Sequence, residues 1–160
     1  MEKLPLLIAL EGPDCSGKTT ILKDLKELYP QVNFVDRDIV SHMVYNRKFK
    51  RTTFWWIPVD VFESYWLHYH KYNERFINIL FTADSKTLAK RAFRKCEPFC
   101  ENATFEEVQR MLEIDDYNFY QMTEKLYKEW GFNYIVINTD EPREANLERL
   151  RKFIDGQLSV

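Results

Sequence analysis

Leu6-Leu7-Ile8-Ala9-Leu10-Glu11-Gly12-Pro13-Asp14-Cys15-Ser16-Gly17-Lys18-Thr19-Thr20 is the stretch that decides the reading of this chain. Its continuous apolar run, Leu6 to Leu10, suits a short strand buried on both faces. Gly12 to Thr19 then matches G-x-x-x-x-G-K-[ST] at every fixed position. In that pattern successive backbone N–H groups turn inward towards phosphate oxygens, and glycines let the backbone turn sharply and come close. Lys18 is the expected bridge to the β- and γ-phosphates, and the Thr19 hydroxyl the expected Mg²⁺ ligand. Ile21, Leu22, Leu25 and Leu28 recur at helical spacing, so a helix from Gly17 to Tyr29 turns its positive dipole end to the same anion. The nucleotide-binding set expected here is Gly12, Pro13, Asp14, Cys15, Ser16, Gly17, Lys18, Thr19 and Thr20. With only four glycines in 160 residues, this chain is less prone than most to make such a loop by accident.

The chain alternates in type on either side of that loop. Pro30 ends the first helix, and Val32–Val35 reads as a second strand closed by Asp36. Ile39–Phe49 is an expected helix, Lys50–Pro58 an irregular stretch, and Val59–Glu74 a very aromatic helix. Phe76–Phe81 is a third strand. Asp84–Lys95 is a basic helix with Asp84 or Ser85 as its cap. Thr104-Phe-Glu-Glu107 is a capping box that opens a helix running to Trp130, where Gly131 supplies a left-handed stop. Phe132–Ile137 is a fourth strand, and Arg143–Leu158 a last amphipathic helix. Strands alternating with helices predict an α/β fold, a parallel sheet covered on both sides, in one domain over residues 1–160.

Composition narrows the field. Aromatic residues make up 16% and the formal net charge is −2, which argues against disorder. No apolar run approaches the length of a membrane span, and no signal peptide is indicated. Three cysteines, an odd number, do not suggest a disulfide scaffold, so the expected setting is a reducing cytoplasm. His68-Tyr-His70 and Cys96-x-x-x-Cys100 do not have a zinc pattern. Cys15 reads as a small loop residue whose backbone N–H does the binding.

Three further groups carry candidate chemistry. Asp36 ends an apolar strand beside the loop, where a carboxylate can hold Mg²⁺ directly or through water. Arg37 follows it and can grip an acceptor's phosphate with both prongs. Lys86, Lys90, Arg91, Arg94 and Lys95 concentrate positive charge within ten residues, with Arg91, Arg94 and Lys95 on one helical face. Arginines brought in by a closing lid stabilise the charge that spreads over a transferring phosphoryl group. Phe62, Tyr65, Trp66, Tyr69 and Tyr72 form one helical stripe, read first as core packing and second as a base-stacking wall. Phe54-Trp55-Trp56, downstream of the basic run Arg47–Arg51, suits stacking on a nucleotide base or, as a lesser alternative, a DNA strand.

Leu10–Thr20 resembles the loop of thymidylate kinases and deoxynucleoside kinases. Asp36-Arg37, with Ser41 and Tyr45 after it, resembles that family's D-R-[YH]-x-x-S-x-x-A-Y segment, and Thr82–Arg91 with Arg94 resembles its run into an arginine-bearing lid. The three segments occur in family order, and the short length resembles small phage kinases of this type. The resemblance implies a three-layer P-loop kinase fold with a short sheet of about four to five strands and a lid over about residues 84–103. It also implies ATP with Mg²⁺, a nucleotide or nucleoside acceptor, and by analogy a homodimer through aromatic helix faces. Lys18 and Thr19 then carry over to ATP and Mg²⁺, Asp14 to acceptor sugar or catalytic support, Arg37 to acceptor phosphate, and Arg91 and Arg94 to the lid. The spacing departs from the family: the D-R segment follows the first helix almost at once, so the strand and helices usually between them are absent or moved.

The expected activity is phosphoryl transfer from ATP to a deoxynucleoside monophosphate. A hydroxyl acceptor, either a nucleoside or a hydroxymethyl-pyrimidine in phage DNA, is the alternative, with Asp36 or Asp14 as the base. A non-catalytic nucleotide-binding switch is a third reading.

Overall fold

Backbone caps fix most element boundaries, and they do so where local chemistry demands. The computed structural model describes residues 4–37, 39–49, 59–73 and 75–160. In chain order the elements are β1 (Leu6–Glu11), α1 (Lys18–Leu28), β2 (Asn33–Asp36), α2 (Ile39–Phe49), α3 (Val59–Asn73), β3 (Arg75–Thr82), α4 (Ser85–Arg94), α5 (Phe105–Trp130), β4 (Asn133–Asn138) and α6 (Arg143–Ser159). Asp84 caps α4 by accepting from the Lys86 N–H at 2.8 Å. Thr104 and Glu107 exchange both bonds of the capping box on α5, and Gly131 ends that helix at φ 67°.

The strands form one parallel sheet in the order β2-β1-β3-β4. The expected four-stranded arrangement is therefore present, and β2 pairs directly with β1, Leu10 opposite Asp36. The chain passes from α1 to β2 through Tyr29–Val32, closed by the Val32 N–H on the Tyr29 carbonyl at 3.1 Å. The additional strand common between loop and D-R segment has no place in this connection.

Alternation along β1 and β3 supplies two apolar faces. Leu6, Ile8 and Leu10 pack with Ile77, Ile79 and Phe81 beneath α1 and α6, which contribute Ile21, Leu25, Leu150 and Ile154. Leu7, Ala9 and Leu80 face the other way, against Val40, Met43 and Val44 of α2, Leu67 of α3, and Phe119, Leu126 and Tyr127 of α5. Each fully buried aliphatic side chain stabilises the fold by about 1.5–3 kcal/mol relative to exposure. A smaller cluster joins α4 to α5 through Leu88, Ala89, Ala92, Val108 and Leu112, and it includes Cys15 of the loop.

One expectation is overturned. The tyrosines of the α3 aromatic stripe are not core: Tyr65 is 67% exposed and Tyr72 66%, with Tyr69 also exposed, whereas the half-buried Trp66 packs against the second apolar cluster. The helix instead turns Leu67 and His70 inward, and the His70 ring stacks on Phe76 of β3 at 4.3 Å. A tyrosine can stay at the surface because its hydroxyl is wet while the ring covers apolar neighbours. The side chains of Phe62, Arg47, Lys48 and Phe49, and residues 50–58 with Phe54–Trp56, lie outside the described residues.

Candidate active site at the phosphate loop

The loop between β1 and α1 is built from backbone conformations that only a few residues accept. Gly12 has φ 153°, and a Cβ there would lie 2.8 Å from the Phe81 carbonyl and 2.9 Å from Ser16 Oγ. Gly17 has φ 90° and stands at the N-cap of α1, where it offers no side-chain acceptor, so the N–H groups of the first turn are left for an external anion. Between the glycines, Cys15 holds φ 64°, which gives the backbone the alternating hand of an anion-binding nest. The Ser16 hydroxyl donates to the Pro13 carbonyl at 2.8 Å and braces that curve.

Lys18 is buried, and its ammonium donates to the carbonyls of Gly12 at 2.6 Å and Pro13 at 2.8 Å. Its pKa is pushed down to about 8, chiefly by burial and then by Arg37, while Asp36, Asp14 and Glu11 act in the opposite direction. Cys15 is also buried; burial pushes its thiol pKa up, consistent with a packing residue rather than a reactive thiol.

The second strand delivers the other wall. Asp36 ends β2, and the Arg37 N–H still donates to the Leu10 carbonyl at 2.9 Å. Arg37 then takes φ 61°, a left-handed conformation uncommon for any residue but glycine, and leaves the sheet. Its guanidinium pairs with Asp14 of the loop and lies 5.5 Å from the centre of the Tyr45 ring. Asp14, Lys18, Thr19, Asp36 and Arg37 together line one cavity of about 350 Å³, which Lys95 and Glu97 also enter. Thr19 and Asp36 are exposed there and offer hydroxyl and carboxylate oxygens, the hard donors that suit Mg²⁺.

Arg91 and Arg94 diverge in role. α4 is anchored to α5 by its buried face, and Arg91 is already against the loop. Arg91 Nη1 donates to the Cys15 carbonyl and to Thr139 Oγ1, both at 3.0 Å, and Nη2 donates to the Thr139 carbonyl at 3.2 Å. Thr139 Oγ1 in turn donates to the Ser16 carbonyl at 2.8 Å. Arg94 is exposed. Arg91, Arg94 and Lys95 do share a face, and that face opens on a second cavity of about 290 Å³. The two cavities meet, because Cys15, Gly17, Thr20 and Lys95 line both.

Some residues of the site were not marked by sequence patterns. Thr139 sits in a turn with no motif around it. Glu11 closes an apolar strand and is fully buried, accepting from the Ser41 hydroxyl. A charged residue ending a buried strand directly before the loop was the available signal for it. Ser41 thereby steadies α2 against the start of the loop, and Tyr45 underlies Arg37.

No family model and no curated protein matches the chain. Solved structures do. The YorR protein of Bacillus subtilis, in complex with phosphorylated GDP, superposes with a TM-score of 0.64 at 16% identity, covering 94% of this chain and 95% of that one. Deoxyadenosine kinase from M. mycoides, with bound dCTP, gives a TM-score of 0.56 at 12% identity, covering 94% and 100%. Sheet order, loop and these superpositions agree: the chain has the α/β fold of the P-loop nucleotide kinases.

Proposed function

We propose that the protein is a P-loop phosphotransferase that moves the γ-phosphoryl group of ATP to a nucleoside monophosphate. The observation that carries this reading is the shared cavity, with Lys18 and Thr19 on the loop side and Asp36 and Arg37 on the β2 side. On this reading the ATP phosphates run over the N-terminus of α1, and the base extends into the adjoining cavity beside Arg91. Mg²⁺, when bound, neutralises the charge on the phosphate oxygens, and Thr19 and Asp36 are the residues that would hold it.

In the transfer, an oxygen of the acceptor bonds to the γ-phosphorus as the bridge to the β-phosphate breaks, and ADP departs. Lys18 compensates the charge that accumulates on the transferring group. A monophosphate acceptor is already ionised near neutral pH, so it needs a cation and no base. Arg37 supplies that cation by exchanging one carboxylate oxygen of Asp14 for the acceptor phosphate, an anion its fork also fits.

A hydroxyl acceptor is the second reading. It is favoured by the exposed Asp36 carboxylate in the same cavity and by the likeness to a deoxyadenosine kinase. Labelled ATP and Mg²⁺ offered in parallel to deoxynucleoside monophosphates, nucleosides and hydroxymethyl-pyrimidine DNA separates the two. Label is expected on the monophosphates, with Lys18→Ala silent, and Asp36→Asn should weaken only the Mg²⁺ requirement. Near-complete loss of turnover in Asp36→Asn, with label on a nucleoside, would transfer the conclusion to the hydroxyl acceptor. ATP turnover indifferent to every acceptor would point to a nucleotide-driven switch.

A further inference from the structure

Two cations that line the cavity at the loop are held by the loop itself. Lys18 Nζ donates to the Gly12 carbonyl at 2.6 Å and to the Pro13 carbonyl at 2.8 Å. Arg37 Nη2 donates to the carboxylate of Asp14, the next residue along. Residues 12–14 therefore carry acceptors for both cations, and a carboxylate stands on the guanidinium that an acceptor phosphate would use.

The pair has the features of an occupant rather than of a brace. The Asp14 side chain is 63% exposed, so it can swing away without uncovering core. Arg37 has other anchors. Its guanidinium lies 5.5 Å from the centre of the Tyr45 ring, and its N–H is bonded to the Leu10 carbonyl at 2.9 Å. A phosphate brings more charge than the carboxylate and fits the guanidinium fork with two oxygens. Lys18 and Asp14 are also linked along the backbone. When the ammonium turns to a nucleotide phosphate, the Gly12 carbonyl loses that donor, while the Pro13 carbonyl keeps the Ser16 hydroxyl. The peptide units before Asp14 are then less constrained, and its hold on Arg37 weakens. Linkage makes the effect reciprocal.

We propose that Asp14 is a built-in stand-in for the acceptor phosphate, and that its pair with Arg37 couples the two substrates, so that each strengthens the binding of the other. This inference rests on the reading of Arg37 as the cation for the acceptor phosphate. The coupling cannot exceed the worth of the pair, which for partly exposed side chains is at most about fivefold in affinity.

Calorimetric titration of the intact protein reads this without turnover. The probes are dTMP, dCMP, dAMP and dGMP, each titrated with and without saturating β,γ-imido-ATP, with Mg²⁺ present throughout. Wild type should hold the monophosphate it binds about three- to fivefold more tightly when the analogue is present. Asp14→Asn keeps the size of the side chain and removes its charge. Without the analogue it should bind that monophosphate about three- to fivefold more tightly than wild type, and its coupling should shrink to within about 1.5-fold. Asp14→Ser reads the same difference should the asparagine variant fail to fold. Glu97→Gln removes another carboxylate from the same cavity and should keep the full coupling. Coupling that survives the loss of the Asp14 carboxylate overturns the proposal, as does a monophosphate affinity unchanged by that loss. Coupling abolished equally by Glu97→Gln overturns it too, since general charge would then account for it. If wild type binds no monophosphate or no analogue, the reading of the cavity falls and the inference with it, whereas binding of both without coupling removes only the inference.

Discussion

Arg91→Lys distinguishes a residue that holds the loop from one that only meets the transition state. Arg91 spans the gap between α4 and the loop with three hydrogen bonds, two to carbonyls and one to the Thr139 hydroxyl. A lysine keeps the charge but has a single point of attachment, so at least one of the three acceptors loses its donor and the fork geometry is gone. Hydrogen bonds from a charged donor contribute about 1.5–3 kcal/mol each. Arg91 is half-buried, which argues for the lower end of that range, and a loss of about 2–3 kcal/mol follows. For a chain of this length that lowers Tm by about 5–10 °C. The assay is thermal unfolding of the nucleotide-free protein, followed by the same measurement on Thr139→Val and the double variant. Because the two side chains share a bond, their effects should fall short of additivity by more than about 0.5 kcal/mol. A variant that melts within a degree of wild type, with only kcat reduced, would falsify the holding role and return Arg91 to a purely electrostatic one.

Gly12→Ala should destabilise the protein by about 2–4 kcal/mol and abolish nucleotide binding, since the new methyl meets the Phe81 carbonyl, which is backbone and cannot yield; urea unfolding at wild-type stability would contradict this. Lys18 makes two pH predictions of opposite sign. Its folded pKa of about 8 lies below the ordinary 10.5, so between those values the unfolded chain binds more protons and ligand-free stability rises with pH, by up to about 3 kcal/mol against a Lys18→Met reference. ATP affinity runs the other way. It is complete below about pH 8, where the ammonium is charged, and declines above it, as a titration of Kd from pH 7 to 10 would record. Arg37→Gly and Arg37→Ala should both lose the acceptor phosphate, but the glycine variant should be about 1 kcal/mol more stable, because φ 61° costs it nothing; equal melting of the two would show that no strain resides there.

How much of this was legible depended on the range of the interaction. Elements fixed by neighbours in sequence were readable nearly to the residue: the capping box at Thr104, the left-handed stop at Gly131 and the aspartate cap on α4 are each local chemistry. The loop was readable because its glycines, lysine and threonine are required by backbone geometry rather than by the rest of the fold. Thr139 was not, since a threonine in a turn acquires a role only when β4 is laid against β3 and brought level with the loop. The aromatic stripe of α3 failed for a related reason. A period of 3.6 shows that residues share a face but not which face meets the sheet; here Leu67 and His70 do, the His70 ring stacking on Phe76 of β3. His70, of the pair that lacks a zinc pattern, sits among aromatic rings instead.

The position of β2 explains how so short a sheet can serve a phosphate loop. The loop is strained backbone, with positive φ at Gly12, Cys15 and Gly17, and such conformations persist only where their surroundings over-determine them. Restraint comes from both sides. On one, the Arg37 N–H bonds the Leu10 carbonyl and the Arg37 guanidinium pairs with Asp14. On the other, Thr139 and Arg91 hold the carbonyls of Ser16 and Cys15. The flanking strands that supply these contacts are β2 and β4, with β3 between β4 and β1. A strand added beyond β2 would touch none of these groups. The restraint on the loop is therefore complete without such a strand. On that side the described residues place Arg37 of the turn after β2 over the Tyr45 ring of α2.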